Sequence, residues 1–583
     1  MLRKVLPCLG ITFLLLVLDA TAAESEIPPA EQWFAEDAVV VLEIAQPRAV
    51  LEAALNPEIV AAVTSLPAYQ HLMEQKGFQD FTQLVHFLEY RLGADWKTAL
   101  GKLTGGGMTL ALGPGDQFLA AIDAEDPKML KELHEVAVTG ARQEAQNQGQ
   151  PDRVKSADYR GVTCWSLNEQ EVHTIIGNRL LLANKADVLR TALDRRADSE
   201  RARLTEQAVY QAAKKACAND RPARLFINLE VLKQHPPFAK ALAGYENPLA
   251  ALLFAGAAET VKGSSWAVLA LDLKDGKLSL EAVTDKSDSD GAAAFVQPAK
   301  GQGVLPQLHI PRQIAGLSLY RDLEGFYQSK EQLFPERTSG LVFFENMMGI
   351  FFTGRDFTGE VLAQLEPQWR LVVAEQQYEP SIGAPKIQVP AFAAIFQLKE
   401  PKRFGPILEE AWQKALGLIN FTRGQQALPG LVLDRPEHAG VKFTTSRFPK
   451  PEAEGKGEDI RFNFSPSLAL LGDYAVLSSA ESLTRDVIDA LKAEGAEAAQ
   501  TMAGTDSLMT IDGKGTARML KANRENLVLQ NMVKEGNPRA QAEEAIDTLV
   551  RIIGWFGELN LAVGGDEAGG KGMLDVTIDP AGE

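Results

Sequence analysis

Apolar residues along the chain fall into short runs that read as strands and longer stripes, spaced three and four apart, that read as helices. AVVVLEIA (38–45) is a Val-rich run suited to a buried strand. Helical spacing follows through AVLEAALNPEIVAAV and FTQLVHFLEYRL, where Leu84, His86, Phe87 and Leu88 lie on or near one apolar stripe. GGMTLALGP and QFLAAIDA, joined by Gly115-Asp116, read as a hairpin. Asp126-Pro127 then opens a helix with Pro in its first turn and Leu130, Leu133 and Val136 on its face. Two more strand runs follow, ADYRGVTCWSL and EVHTIIG.

The stretch Glu171 to Arg196 sets the plan of the chain. A strand meets a Gly177-Asn178 turn, a second strand runs from Leu180 to Ala183, and a helix begins with Asn184 as the expected N-cap and Asp187 in its first turn. The same plan returns at Ser467 to Lys492, with Gly177 on Gly472, Leu182 on Leu477, Leu193 on Ile488 and Asp194 on Asp489. Other landmarks recur in the same order. QFLAAIDAEDPK is answered by AFAAIFQLKEPK, so that Ala121-Ile122 falls on Ala394-Ile395 and Pro127 on Pro401. YRGVTCWSL is answered by HAGVKFTTSRF, with Gly161 opposite Gly440, and the hairpin from Trp266 to Asp285 by the last hairpin of the chain.

These elements predict an α+β protein of two homologous halves, 24–285 and 309–583. Each half is expected to be a largely antiparallel sheet with helices mainly on one face. The polar, Gly- and Ala-rich stretch 286–308 reads as the linker between them.

Residues 1–23 read as a secretory signal peptide. Arg3 and Lys4 precede an apolar run from Val5 to Leu18, and Ala20-Thr21-Ala22 offers small residues for cleavage. Cys8, inside that run, makes a poor lipid acceptor. No later stretch has the length of a membrane span, because LVFFENMMGIFF is broken by Glu345 and Asn346. The expected location is therefore outside the cytoplasm, in a periplasm or at the cell surface, without an integral membrane segment after cleavage. Without residues 1–23 the chain holds 57 basic and 76 acidic residues, a net charge of −19. That balance speaks against nucleic acid and anionic membrane as general partners.

Candidate chemistry is sparse. Cys164 and Cys217 remain after processing and form a candidate disulfide in an exported protein, the alternative being two buried thiols. The histidines show no metal-binding spacing, and His86, His134 and His173 read as structural or surface residues. The Gly565–Gly572 stretch imitates a phosphate loop. It places Gly572 where a magnesium-binding hydroxyl belongs, carries Asp566 and Glu567 against the phosphates and leads into a strand, so it reads as a hairpin loop. The half calcium loop SDSDG (287–291) lacks its terminal ligands. Asn420 and Asn463 sit in glycosylation-type triplets. Asp194 and Asp489 read as part of a solvated helix face. No catalytic, metal or cofactor-binding residue is nominated, and no cofactor is expected.

The strand-plus-helix openings at 38 and 313, Tyr159 to Val162, GNRLLLAN (177–184) and GDYAVLSS (472–479) together resemble the large exported bacterial proteins known as domains of unknown function. The resemblance implies export and an α+β build and carries over no catalytic residues. The leading expectation is a non-enzymatic exported protein that binds an apolar ligand or a protein partner at a cleft between its halves. An exported hydrolase with a site gathered from distant segments, or a structural envelope component, are the alternatives.

Overall fold

The computed structural model describes residues 27–198, 200–217, 220–242, 247–274, 276–285, 294–334, 338–378, 383–449, 459–495, 500–566 and 569–580. Residues 1–23, read as a signal peptide, and the SDSDG stretch lie outside the described residues. The chain is α+β and divides into two compact units. Unit 1 takes most of residues 27–285. Unit 2 takes the rest, together with the segment 240–263 and the hairpin tip 276–278.

Unit 1 is an antiparallel sheet of β1 (Val40–Ile44), β2 (Gly107–Gly113), β3 (Gln117–Asp123), β4 (Lys155–Tyr159), β5 (Val162–Ser166), β6 (Val172–Ile176), β7 (Arg179–Ala183), β8 (Ala223–Asn228), β9 (Trp266–Lys274) and β10 (Lys277–Thr284). Their order across the sheet is β10-β9-β8-β1-β2-β3-β7-β6-β5-β4. Its principal helices are α1 (Pro47–Ala54), α2 (Pro57–Thr64), α3 (Pro67–Glu74), α4 (Lys76–Leu92), α5 (Trp96–Thr104), α6 (Pro127–Asn147), α7 (Ala186–Ala197) and α8 (Ala208–Ala216).

Unit 2 begins with α9 (Pro248–Gly263). Its sheet consists of β11 (Gln313–Tyr320), β12 (Leu365–Ala374), β13 (Ala391–Leu398), β14 (Val432–Asp434), β15 (Val441–Arg447), β16 (Ser467–Leu471), β17 (Tyr474–Ser478), β18 (Thr505–Asp512), β19 (Phe556–Asp566) and β20 (Gly569–Ile578), with two-residue bridges left unnumbered. The order is β20-β19-β18-β11-β12-β13-β17-β16-β15-β14, again antiparallel, so each strand stands where its counterpart ten numbers lower stands in unit 1. Its helices include α10 (Leu323–Gln328), α11 (Thr338–Phe351), α12 (Pro401–Gln425), α13 (Glu481–Gly495), α14 (Gly513–Ala522), α15 (Arg524–Glu535) and α16 (Arg539–Gly554). Part of the stretch read as a linker is built into this unit. Phe295 and Val296 are buried against Ala251, Ala255, Leu333 and Phe334.

The period of two along the middle strands decides where the cores sit. Leu181 and Ala183 of β7 pack with Leu189, Ala192 and Leu193 of α7, while Leu180 points the other way, among Leu103, Leu130 and Leu133. In unit 2 Val476 of β17 packs with Leu483, Val487 and Ile488 of α13, and its neighbour Ala475 packs with Phe404 and Ala411 of α12. Helices therefore cover the middle strands on both faces. Small residues in β3 and β13 (Ala121, Ala391, Ala393) let α7 and α13 lie close, which is how a densely packed interior is reached here.

The hairpins β6–β7 and β16–β17 turn at Gly177 and Gly472, with φ +59° and +58°. A two-residue turn with positive φ at its first position matches the twist of the flanking strands, and glycine reaches it without a Cβ penalty. No atom lies within 4 Å of where a Gly472 Cβ would stand, so conformation is the only cost of a side chain there. Gly472→Ala should lower unfolding free energy by about 1–2 kcal/mol, and Gly472→Asn by less, as read from denaturant midpoints. An alanine variant as stable as the parent would contradict the left-handed turn.

Candidate functional site

Helices that cover a sheet are expected to turn polar sides outward. Two do not. In unit 2, α11 packs Leu341, Met348 and Phe351 inward against Phe334 and Phe357 neighbourhoods of the core. Its other side exposes Val342 and Met347, with Phe343 71% and Ile350 67% exposed, while Phe344 stands edge-on to Phe357. The helix carries no lysine or arginine, and Glu345 faces Lys330 at 3.8 Å. The neighbouring α9 buries Ala251 and Ala255 in the same core and exposes Leu249 and Phe254. In unit 1, α4 occupies the corresponding connection between the first two strands. It sends Leu88 and Leu92 into the core and exposes Phe81, Leu84, Phe87 and Tyr90, the last at 85%. The stripe expected to hold Leu84, Phe87 and Leu88 together is thus split, with only Leu88 buried. Isolated exposed apolar residues are ordinary, but apolar faces several residues long mark interaction surfaces.

Polar contacts explain what the sequence left as a bare recurrence. Asp194 is buried rather than solvated. It accepts hydrogen bonds from the Tyr159 hydroxyl and Arg160 Nε, both at 2.9 Å, and faces Arg201 at 3.2 Å, tying α7 to the β4–β5 turn. Burial alone would raise its pKa, but the Tyr159 hydrogen bond and the Arg201 and Arg160 charges hold it below the ordinary aspartate value. Asp489 does the same for α13, pairing with His438 Nε2 at 2.8 Å from a more exposed position. Asn184 is not the helix N-cap. That place falls to Lys185, which makes no side-chain cap, while Asn184 Oδ1 accepts from Phe118 N at 3.0 Å. Ser479 Oγ accepts from Phe392 N at 2.9 Å in the matching place.

One cluster of titratable groups is gathered that the sequence spaces far apart. His134 of α6 and His173 of β6 meet at 3.3 Å between their Nε2 atoms, and His173 Nδ1 lies 2.7 Å from Glu171 Oε2. Glu171 Oε1 also accepts from Leu167 N at 2.6 Å. Trp165 stands edge-on to His134, with the Arg142 guanidinium over the indole at 5.4 Å. All three members are buried, and His134 Nδ1 has no hydrogen-bond partner among the described residues. Burial, and then the charge of His173, push the His134 pKa down strongly. Among the described residues no group of three His, Cys, Asp or Glu is placed to hold a metal ion. The three side chains form a hydrogen-bonded chain that ends at His134 Nδ1.

Cys164, in β5 opposite Ala157 and Thr174, and Cys217, just past α8, border one core. Burial raises the Cys164 pKa. Asn420 exchanges hydrogen bonds with Leu431, and Asn463 is buried and bonded to Tyr378, Val389 and Ile387, so both amides are occupied within the fold. Around the phosphate-loop imitation Gly564 pairs with Lys571 and Gly565 with Gly570 as antiparallel strands, and 567–568 lie outside the described residues. No helix of the described residues is long and apolar enough to cross a membrane.

Residues 105–308 are similar to the family described as a protein of unknown function (DUF3352). No curated protein matches the chain. Among solved structures, TP0453 in crystal forms III and IV aligns at 10% identity over 46% of this chain and 83% of that one, with TM-scores of 0.24 and 0.25.

The two aspartate clasps predict unequal costs. Asp194→Asn should lower the stability of unit 1 by about 1–3 kcal/mol at neutral pH, and the exposed Asp489→Asn by under about 1 kcal/mol. Because the folded Asp194 pKa is depressed, its stabilisation is complete above the unfolded value of about 3.9 and is lost as pH falls through the folded value. The gap between parent and Asp194→Asn should therefore close in acid, as read from denaturation curves over pH.

Proposed function

We propose that this is an exported, internally duplicated protein that binds another protein through the apolar outer faces of its strand-connecting helices, and that it acts by binding rather than catalysis. The observation that carries this reading is α11, apolar on its inner and its outer sides. A helix apolar all round belongs in an interior, and here the missing cover is supplied by a partner. Charge selects the class of partner. Helices that lie on membranes carry lysine and arginine on their polar face, and α11 carries neither, in a chain of net charge −18. Exposed Phe, Tyr and Met are what protein interfaces concentrate at their centres.

Duplication is supported by the matching strand orders, the paired turn glycines and the three contacts that recur at matching places. These are the aspartate clasps, the Asn184 and Ser479 hydrogen bonds, and the donation from Ala124 N to Asn178 O and from Leu398 N to Asp473 O. Export is supported by the form of residues 1–23, which places the partner in the same compartment.

A photoreactive residue in place of Phe343, in cells expressing the full chain, should give a discrete protein adduct on irradiation, whereas one in place of exposed Lys128 should not. Replacing Ile350 with Asp in the same protein should abolish the adduct without changing its denaturation midpoint. Adducts with lipid alone, or none at Phe343, would overturn the reading.

A further inference from the structure

We propose that unit 1 carries a pH-sensitive latch, in which the buried Glu171–His173–His134 chain holds α6 on the sheet at neutral pH and releases it, with α4, when the surroundings turn acidic. Its use to control partner binding rests on the reading of the α4 face as a docking surface; the latch itself stands on geometry.

The cluster has no acceptor for a second proton on His134. Glu171 accepts from His173 Nδ1–H, so the facing Nε2 atoms of His173 and His134 share a single proton across 3.3 Å. A second proton on His134 would sit on Nδ1 and make a buried N–H without an acceptor. The groups that face His134 are His173 from β6, Glu171 behind it, and, across the Trp165 ring of β5, Arg142 from its own helix. Arg142 brings no negative charge to hold an imidazolium.

The sign follows. His134 stays neutral while α6 is seated and takes a proton near the ordinary imidazole value of about 6.5 once α6 lifts. Below that pH the lifted state binds one proton more, and its population rises about tenfold per pH unit. What lifts with α6 is set by packing, since Met129, Leu130 and Leu133 on α6 hold Leu88 and Leu92 of α4.

Unit 2 has no such device in the matching place. Leu408 lies as far beyond Pro401 as His134 lies beyond Pro127, and Leu468 pairs with Leu477 as His173 pairs with Leu182. Plain leucine suffices for packing there, so the buried polar chain of unit 1 is not a requirement of the fold.

Hydrogen exchange on the intact protein tests this. After correction for the intrinsic rate, protection of α6 amides should fall about tenfold per pH unit between pH 6.5 and 5, while α12 amides of the same molecule stay flat. His134→Phe, which keeps an aromatic ring beside Trp165, should flatten α6 as well. Equal pH dependence in α6 and α12, or no dependence in α6, overturns the latch whether or not the variant folds. A photoreactive residue in place of Tyr90 reads the other claim. Adduct yield that changes between pH 7.5 and 5.5 supports control of docking, and unchanged yield overturns that control. No adduct at either pH overturns docking at α4, and the exchange result then still decides the latch.

Discussion

The constraint on which the rest depends is the two-faced burial of the middle strands. In β7 and β17 successive side chains point into different cores, so neither face can be left to water. Each unit must therefore carry helices on both sides of its sheet. The α7 and α13 helices meet this demand directly, following their hairpins through connections too short to permit much choice. On the opposite face the cover comes from helices inserted between sheet strands, and these have freedom in what they present outward. The apolar outer sides of α4 and α11 arise there, on the layer least constrained by the strands beneath it.

Local signals made the strands and hairpins legible. Alternation, Gly177 and Gly472 each act within a few residues, and all survive in the structure. The apolar faces of the helices were visible as stripes, but which side lies inward was not, because α11 is apolar on both and α4 splits Leu84 and Phe87 from Leu88. Tertiary contacts were invisible for a plainer reason. Asp194 acts on Tyr159 and Arg160 in a turn more than thirty residues earlier, so only its recurrence at Asp489 marked it. Asn184 looked like a cap because it precedes a helix, yet the N–H of Phe118, sixty-six residues earlier in β3, claims its side chain. Even the Ala-Ile landmark shifts by one, since Ala120 faces Leu182 as Ala394 faces Leu477. The histidine pair joins a helix to a strand thirty-nine residues on, and no spacing rule reaches that far.

The differences between the units are as informative as the likeness. Both use an aspartate to seat the helix that follows the central hairpin, but unit 1 buries it beneath an aromatic hydroxyl and two arginines, while unit 2 leaves it half in water with a histidine. Unit 2 instead places a buried arginine at the end of β11. The Arg321 guanidinium donates to Leu252 O at 2.6 Å, Leu253 O at 3.2 Å, Asp506 O at 2.9 Å and Ser507 Oγ at 2.7 Å, which ties α9 to the ends of β11 and β18. A buried charge is tolerated only when its donors are met this fully, and breaking such a set is costly. The apolar surface of unit 2 therefore stands on a rigid base, whereas that of unit 1 rests on helices held by the histidine chain.

The central claim is that these outer faces are covered in the compartment where the protein works. Hydroxyl-radical footprinting of intact cells and of the purified full chain tests this directly, by comparing oxidation of Phe343, Met347 and Tyr90 in the two settings. The account predicts that all three are oxidised in the purified protein and that Phe343 and Met347 are protected several-fold in cells, while exposed polar-face residues change little. Equal oxidation in both settings would show that the faces meet only water, and would contradict the account.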